Sequence, residues 1–328
     1  MKMIFKQIIH SAALGIVVPG MIFSALAGFS SSTTQEQKTE ESQQNLNKPT
    51  EKVSQVFIPV LKSDGQVVQM DLEDYICRVV LGEVPASFET EALKAQAVAA
   101  RTYTLRCVLG GDKHPEGAVC TDYRCCQEYR EPESYIRSGG TLASVQKVFD
   151  AVTETAGEVL YYDGKLIMAT YFASAGGTTE DAREVWGNAV PYLTVVSSPA
   201  DDDAYNGQTV TFTAEEFQTR LGVTLKGKPE SWFGRVSYTV GGGVDMMRIG
   251  GKLYSGVDLR GIFDLRSTIF TVTTTDTSVT FETRGYGHRV GLSQYGANAM
   301  AVLGSGYKEI LHHYYPGTIL SQYDPDTD

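Results

Sequence analysis

The chain has 328 residues, enough for one large domain or two smaller ones, and at 42% hydrophobic and 20% charged it reads as a soluble globular body. Lys+Arg 28 against Asp+Glu 39 leaves a net charge of -11, and no basic run interrupts it. That balance excludes a nucleic-acid partner, whose affinity rests on phosphate neutralisation. An anionic polymer would have to be recognised by local contacts rather than by bulk attraction.

Lys2 and Lys6 precede an apolar stretch from Ile8 to Phe29, broken by His10, Ser11 and Ser24. A run of about 20 apolar residues suits a membrane-spanning helix. No positive charge follows until Lys38, so the N-terminus is expected to stay cytoplasmic and the rest to be exported. Ala25-Leu26-Ala27 resembles a signal-peptidase site, which keeps a cleaved signal peptide as the alternative to an anchor over 1–29. Residues 30–52 hold Ser, Thr, Gln, Asn, Glu and Lys with hardly an apolar side chain, the composition of a flexible tether.

Alternation of apolar and polar residues over 53–70 around Ser63-Asp64-Gly65 predicts a hairpin. Leu72, Tyr75, Ile76, Val79 and Val80 then mark the apolar stripe of a helix whose next residue on the same face is Glu83. Pro85 biases Val84 away from helical angles and stops that helix. A second helix, rich in alanine from about Glu91, ends at Gly110-Gly111. A carboxyl group on the buried face at a helix end is partly desolvated, which raises its pKa towards the range of a general acid. The alternative is an ordinary exposed helix-end glutamate.

His114, Cys120, Cys125 and Cys126 follow within thirteen residues, a donor set that suits a tetrahedral zinc ion although the spacing matches no standard finger. The same thiols could instead form disulfides outside the cell, with Cys77 or Cys107 as further candidates. Leu142 to Val152 predicts a helix ended by Gly157, and Asp163-Gly164 the turn of a hairpin over 159–172. That hairpin delivers Tyr171 and Ser174 into Ala175-Gly176-Gly177, either a site for sugar hydroxyls or a plain glycine turn. Trp186 is either core or a platform for a sugar face.

Residues 205–275 read as an inserted smaller lobe of α/β type, with near-capping boxes at Thr213–Glu216 and Ser255–Asp258 and Gly241-Gly242-Gly243 between two halves. The catalytic body would comprise 53–204 and 276–328, giving an α+β fold, helix-rich, with short antiparallel hairpins and a cleft flanked by the lobe. Gly285, Gly287 and Gly291 miss the dinucleotide spacing, and Gly291-x-Ser293-x-x-Gly296 misses the nucleophile elbow. What remains is a glycine-permitted loop presenting His288, Ser293 and Gln294. A small-residue helix to about Leu303 and a last helix stopped by Pro316-Gly317 complete the chain.

Three stretches together resemble the stage II sporulation protein D family, which includes amidase-enhancer proteins. They are GEVPASFETEALKAQAVAARTY from Gly82, YFASAGGTTEDAREVWG from Tyr171, and RGYGHRVGLSQYG from Arg284 with Tyr314-Tyr315-Pro316-Gly317. The resemblance implies a lytic transglycosylase acting on peptidoglycan, in which Glu83 serves as acid and then as base. It implies that Tyr171, Ser174, His288, Ser293 and Gln294 position the glycan, with Lys94 and Arg101 either stabilising charge or forming surface pairs. Relatives often show His…Cys…His-Cys where this chain has Cys125 in third place, a swap compatible with a structural zinc. Stage II sporulation proteins P (an amidase) and M are the implied partners. The implied setting is the mother-cell membrane, with the folded domain facing the intermembrane space. The rivals are a non-catalytic amidase regulator and a zinc-stabilised wall-binding domain.

Overall fold

The computed structural model describes residues 55–111, 113–198 and 205–326. The anchor and tether expected over residues 1–52 lie outside them. Among the described residues no helix is long and apolar enough to cross a membrane.

The alternating stretch forms β1 (Phe57–Leu61) and β2 (Val67–Asp71), paired antiparallel across a turn in which Gly65 takes φ 85°. Asp71 then caps helix α1 (Leu72–Glu83), accepting from the Asp74 N–H. Val84, before Pro85, is extended at φ -132° and ψ 150°, so the helix stops with Glu83 as its last residue. Helix α2 (Thr90–Gly110) runs through the middle of the body and ends on Gly111 in the left-handed region. Its alanines let α1 and the later helices approach on several sides, and residues 92–102 are buried apart from Lys94.

A short strand β3 (Val119–Cys120) joins β1 in parallel, and α3 (Pro132–Arg137) and α4 (Leu142–Glu154) follow. Strand β4 (Glu158–Tyr162) turns through Asp163 and Gly164, both at positive φ, into β5 (Lys165–Leu166). The expected long hairpin is a short one. After Leu166 the chain leaves β4 and forms β6 (Tyr171–Phe172), then β7 (Gly177–Thr178), α5 (Ala182–Trp186) and β8 (Ser197–Ser198).

From β9 (Gln208–Thr213) a second core begins. Helix α6 (Ala214–Leu221) starts with a full capping box between Thr213 and Glu216. Strands β10 (Phe233–Tyr238), β11 (Val244–Ile249) and β12 (Lys252–Ser255) make one antiparallel sheet, so the Gly241 to Gly243 run is a hairpin turn and not a divider between two halves. Helix α7 (Gly256–Ile262) leads to β13 (Ile269–Thr274) and β14 (Ser278–Arg284). β14 lies between β13 and β9, and Phe281 on it is buried with Phe212, Phe217, Phe263 and Phe270. The boundary expected at residue 275 therefore falls inside a hairpin, because β14 carries the apolar face that fills this second core.

The chain returns to the first core as β15 (Leu292–Ser293), parallel to β6, then α8 (Gln294–Val302), α9 (Tyr307–Tyr314) and β16 (Ile319–Gln322), which pairs with β4. The architecture is a mixed α+β fold of helices and small sheets.

Candidate functional site

Glu83 is half-buried at the C-terminal end of α1, and three other segments reach its carboxyl group. Oε1 accepts the backbone N–H of Glu128 at 2.8 Å and faces the Tyr171 hydroxyl at 3.2 Å, while Oε2 accepts the Gln294 amide at 3.3 Å. Gly82 makes the first of these possible. A Cβ there would stand 2.6 Å from Glu128 Cγ and 3.0 Å from its carbonyl carbon, so a side chain would push the 127–129 segment off the helix end.

Burial raises the Glu83 pKa above the ordinary carboxylate value and outweighs the lowering by the three hydrogen bonds; the nearby charge of Glu128 raises it further. Tyr171 has one proton and two acceptors in reach. Its contact to Gln127 Oε1 is the shorter, at 2.8 Å, and Gln127 in turn donates to Thr104 Oγ1 at 2.7 Å. When Glu83 holds a proton, that proton can therefore go to the Tyr171 oxygen while Tyr171 donates onward. When Glu83 is ionised, Tyr171 can turn to it. Burial keeps the Tyr171 hydroxyl protonated, and the Glu83 charge adds to that effect.

His288 sits between Phe172 and Trp186, with ring centres 5.5 and 5.4 Å away, and its Nδ1 accepts the Val290 N–H at 3.1 Å. Burial, followed by the charge of Arg260, pushes its pKa down to about 4, so the ring is neutral across the physiological range. Trp186 is 45% exposed, which removes the core reading for it.

The remaining expected site residues do other work. Ser174 and Ser293 are fully buried. Ser174 forms a two-way backbone bridge with Tyr286, and Ser293 caps α8 by accepting the Gly296 N–H at 3.3 Å. Neither presents a hydroxyl to a glycan. Lys94 is held by Glu91 at 2.8 Å and Glu154 at 2.7 Å, the surface-pair alternative. Arg101 is fully buried and forks onto Glu73 at 2.8 and 2.6 Å, with further bonds to the carbonyls of Glu158 and Val152. It bolts α1 and α2 to the α4–β4 corner and does not reach Glu83. Gln127 and the Glu128 N–H, which do touch the site, were not foreseen. Nor was Glu128 foreseen as a second carboxylate beside Glu83.

His114, Cys120, Cys125 and Cys126 converge, with one ligand atom from each lying within 4.8 Å of all the others. His114 Nε2 is 3.3 Å from the Cys125 sulfur and 3.4 Å from the Cys126 sulfur. Metal–sulfur bonds of about 2.3 Å and metal–nitrogen bonds of about 2.0 Å place tetrahedral ligand atoms roughly 3.5–3.8 Å apart. One imidazole and three thiols at these separations form a group able to hold a tetrahedral metal ion. All five cysteines are free thiols, so the disulfide alternative is not the arrangement observed. The turn that presents Cys125 and Cys126, closed by their N–H groups on the Asp122 carbonyl, runs directly into Gln127 and Glu128.

Residues 62–162 match the family model of the stage II sporulation protein SpoIID. The chain is 38% identical to stage II sporulation protein D of Bacillus subtilis (strain 168), over 89% of its own length and 87% of that protein. The chain belongs to the stage II sporulation protein D family. The Bacillus amyloliquefaciens member is 37% identical over 84% of this chain and 82% of its own. The amidase enhancer of Bacillus subtilis (strain 168) is 31% identical over 75% of this chain and 40% of its own. The SpoIID match spans α1, α2 and the His/Cys cluster, and so takes in both Glu83 and the segment that grips it.

A carboxyl group whose folded pKa is raised binds its proton more tightly folded than unfolded, so its stabilising contribution is present at low pH and lost as pH rises through the folded value. Glu83→Gln should therefore melt at a higher temperature than the unaltered protein near pH 7, with the gap closing below about pH 4. Paired melting curves across pH check this.

Proposed function

We propose that this member of the family is a lytic transglycosylase that cleaves peptidoglycan glycan strands between N-acetylmuramic acid and N-acetylglucosamine. The observation that supports this most is the Glu83 carboxyl, biased towards its protonated form and gripped from three sides. In the proposed reaction Glu83 first donates its proton to the glycosidic oxygen. The ionised Glu83, now accepting from Glu128 N–H, Gln294 and Tyr171, takes a proton from the C6 hydroxyl of the muramic sugar. That hydroxyl closes on the anomeric carbon and leaves a 1,6-anhydro end. His288, neutral and packed between Phe172 and Trp186, would position the glycan in this reading. Kinship with an amidase enhancer favours one second reading, a non-catalytic wall-binding regulator.

The His114, Cys120, Cys125 and Cys126 cluster fits a structural zinc ion in this proposal: all four positions are filled by the chain, leaving none open for a substrate. Its work would be to fix the turn that delivers Gln127 and the Glu128 N–H. Membrane anchorage of the N-terminus, exposure of the domain outside the cytoplasm, and association with stage II sporulation proteins P and M belong to the same proposal. They rest on family kinship and on the sequence of residues 1–29.

Mass spectrometry of fragments released from peptide-stripped glycan strands tests the activity. Anhydro-muramic ends are expected from the unaltered protein, with a loss of about 100-fold or more in Glu83→Ala. Reducing ends carrying added water would instead assign hydrolysis, with Glu128 as the second carboxylate. Intact strands from a folded protein would leave the regulator. Elemental analysis should find one zinc per chain, and Cys120→Ala should lose it and melt roughly 5–10 °C lower.

A further inference from the structure

Gln294, which reaches Glu83, is followed by Tyr295, whose ring is the first of a series of aromatics in contact. Tyr295 meets Phe88 edge-on at 5.0 Å between ring centres and Tyr205 at 5.2 Å. Tyr205 meets Tyr286 at 5.2 Å. The guanidinium of Arg266 lies 5.4 Å from the centres of both the Tyr205 and the Tyr286 rings. Tyr286 is 44% exposed, and Tyr205, Tyr295 and Arg266 are half-buried.

Arg266 pairs with no carboxylate among the described residues. Its contacts are the two rings and a backbone bond, in which its carbonyl accepts the Gly287 N–H at 2.9 Å. Arg260 is half-buried close by and donates to the Leu265 carbonyl at 3.3 Å; it too has no carboxylate partner among the described residues. Its charge acts on His288. In a chain of net charge -11, this places two arginines beside one aromatic edge, neither paired with a carboxylate among the described residues. A guanidinium placed over two rings loses little freedom on binding, and its N–H fork suits a planar, bidentate acceptor. The exposed Tyr286 ring next to it offers an apolar face on which a pyranose ring can stack.

We propose that Tyr205, Tyr286, Tyr295 and Arg266, with Arg260 behind them, form a binding subsite for a carboxylate-bearing sugar unit of the glycan. The rings take the C–H face of the sugar and Arg266 takes the carboxylate. The identity of the polymer rests on the proposed function above; the chemistry of the subsite does not. The carboxylate has two sources in such a polymer, the lactyl group of muramic acid itself or the peptide attached to it.

Calorimetry in the Glu83→Gln protein measures binding without turnover. The probes are chitotetraose, which has no carboxylate, a peptide-free wall tetrasaccharide of alternating N-acetylglucosamine and N-acetylmuramic acid, and the same tetrasaccharide bearing its peptides. The peptide-free wall fragment should bind about tenfold more tightly than chitotetraose. Arg266→Gln should erase that preference and leave chitotetraose binding unchanged. Tyr286→Ala, at a position that is 44% exposed, should weaken both. Still tighter binding of the peptide-bearing fragment would assign the peptide as the source of the carboxylate. Equal binding of neutral and acidic fragments, or a preference that survives Arg266→Gln in folded protein, would overturn the subsite. If an Arg266-dependent preference is found while the unaltered protein releases no cleaved ends, the subsite stands and the enzymatic reading falls.

Discussion

The site depends on how closely the segment after the His/Cys cluster approaches the end of α1. Gly82 has no side chain, so the backbone of Glu128 can come down onto Glu83 and donate its N–H at 2.8 Å. A backbone donor is fixed by the chain's path and cannot rotate away, unlike the Tyr171 and Gln294 side chains that complete the grip. The result is a carboxyl group held in one orientation, desolvated enough to favour its proton, yet supplied with donors for its charge once the proton leaves. The convergence of His114, Cys120, Cys125 and Cys126 lies immediately before this contact, since Gln127 and Glu128 are the next residues along the chain.

The loop that carries His288 is fixed by Arg289. This residue is buried, takes φ 68°, and bonds to the carbonyls of Ala175 and Thr178 at 3.1 and 2.9 Å. It also bonds to the Gly241 carbonyl and faces the buried Glu180 at 3.5 Å. Glu180 accepts the Thr239 hydroxyl at 2.6 Å. A left-handed conformation disfavours a residue with a side chain by about 1–2 kcal/mol, so it persists only where surrounding bonds over-determine it. The bonds here join the glycine loop of 285–291 to the β10–β11 turn. His288 and Gln294 are thereby tied to the second core, and the lobe becomes part of the frame of the site.

Much of the fold was legible in the sequence because local chemistry decided it. Pro85 stops α1 at Glu83, Gly111 ends α2, Asp163-Gly164 turns β4, and Thr213 with Glu216 starts α6. The four metal-type ligands were legible as a set, since their donor chemistry is in the residue types. What stayed hidden was decided by long-range pairing. Arg101 reads as one more charged residue on a helix until Glu73 and two carbonyls close around it. Ser293 reads as a free hydroxyl until it caps α8. Gln127 and the Glu128 N–H had no signature at all, because a backbone donor looks the same at every position. The β14 boundary was missed for a related reason: a strand belongs to whichever core buries its alternate residues, and that depends on partners in β9 and β13.

The proposed chemistry turns on the protonation of one carboxyl group. NMR titration of the Glu83 side-chain carbon in selectively labelled protein measures it directly. A midpoint above the ordinary glutamate value, dropping when Glu128→Gln removes the neighbouring charge, is the expected result. A midpoint at or below the ordinary value would show an ionised glutamate with no proton to give, and the general-acid role would be wrong.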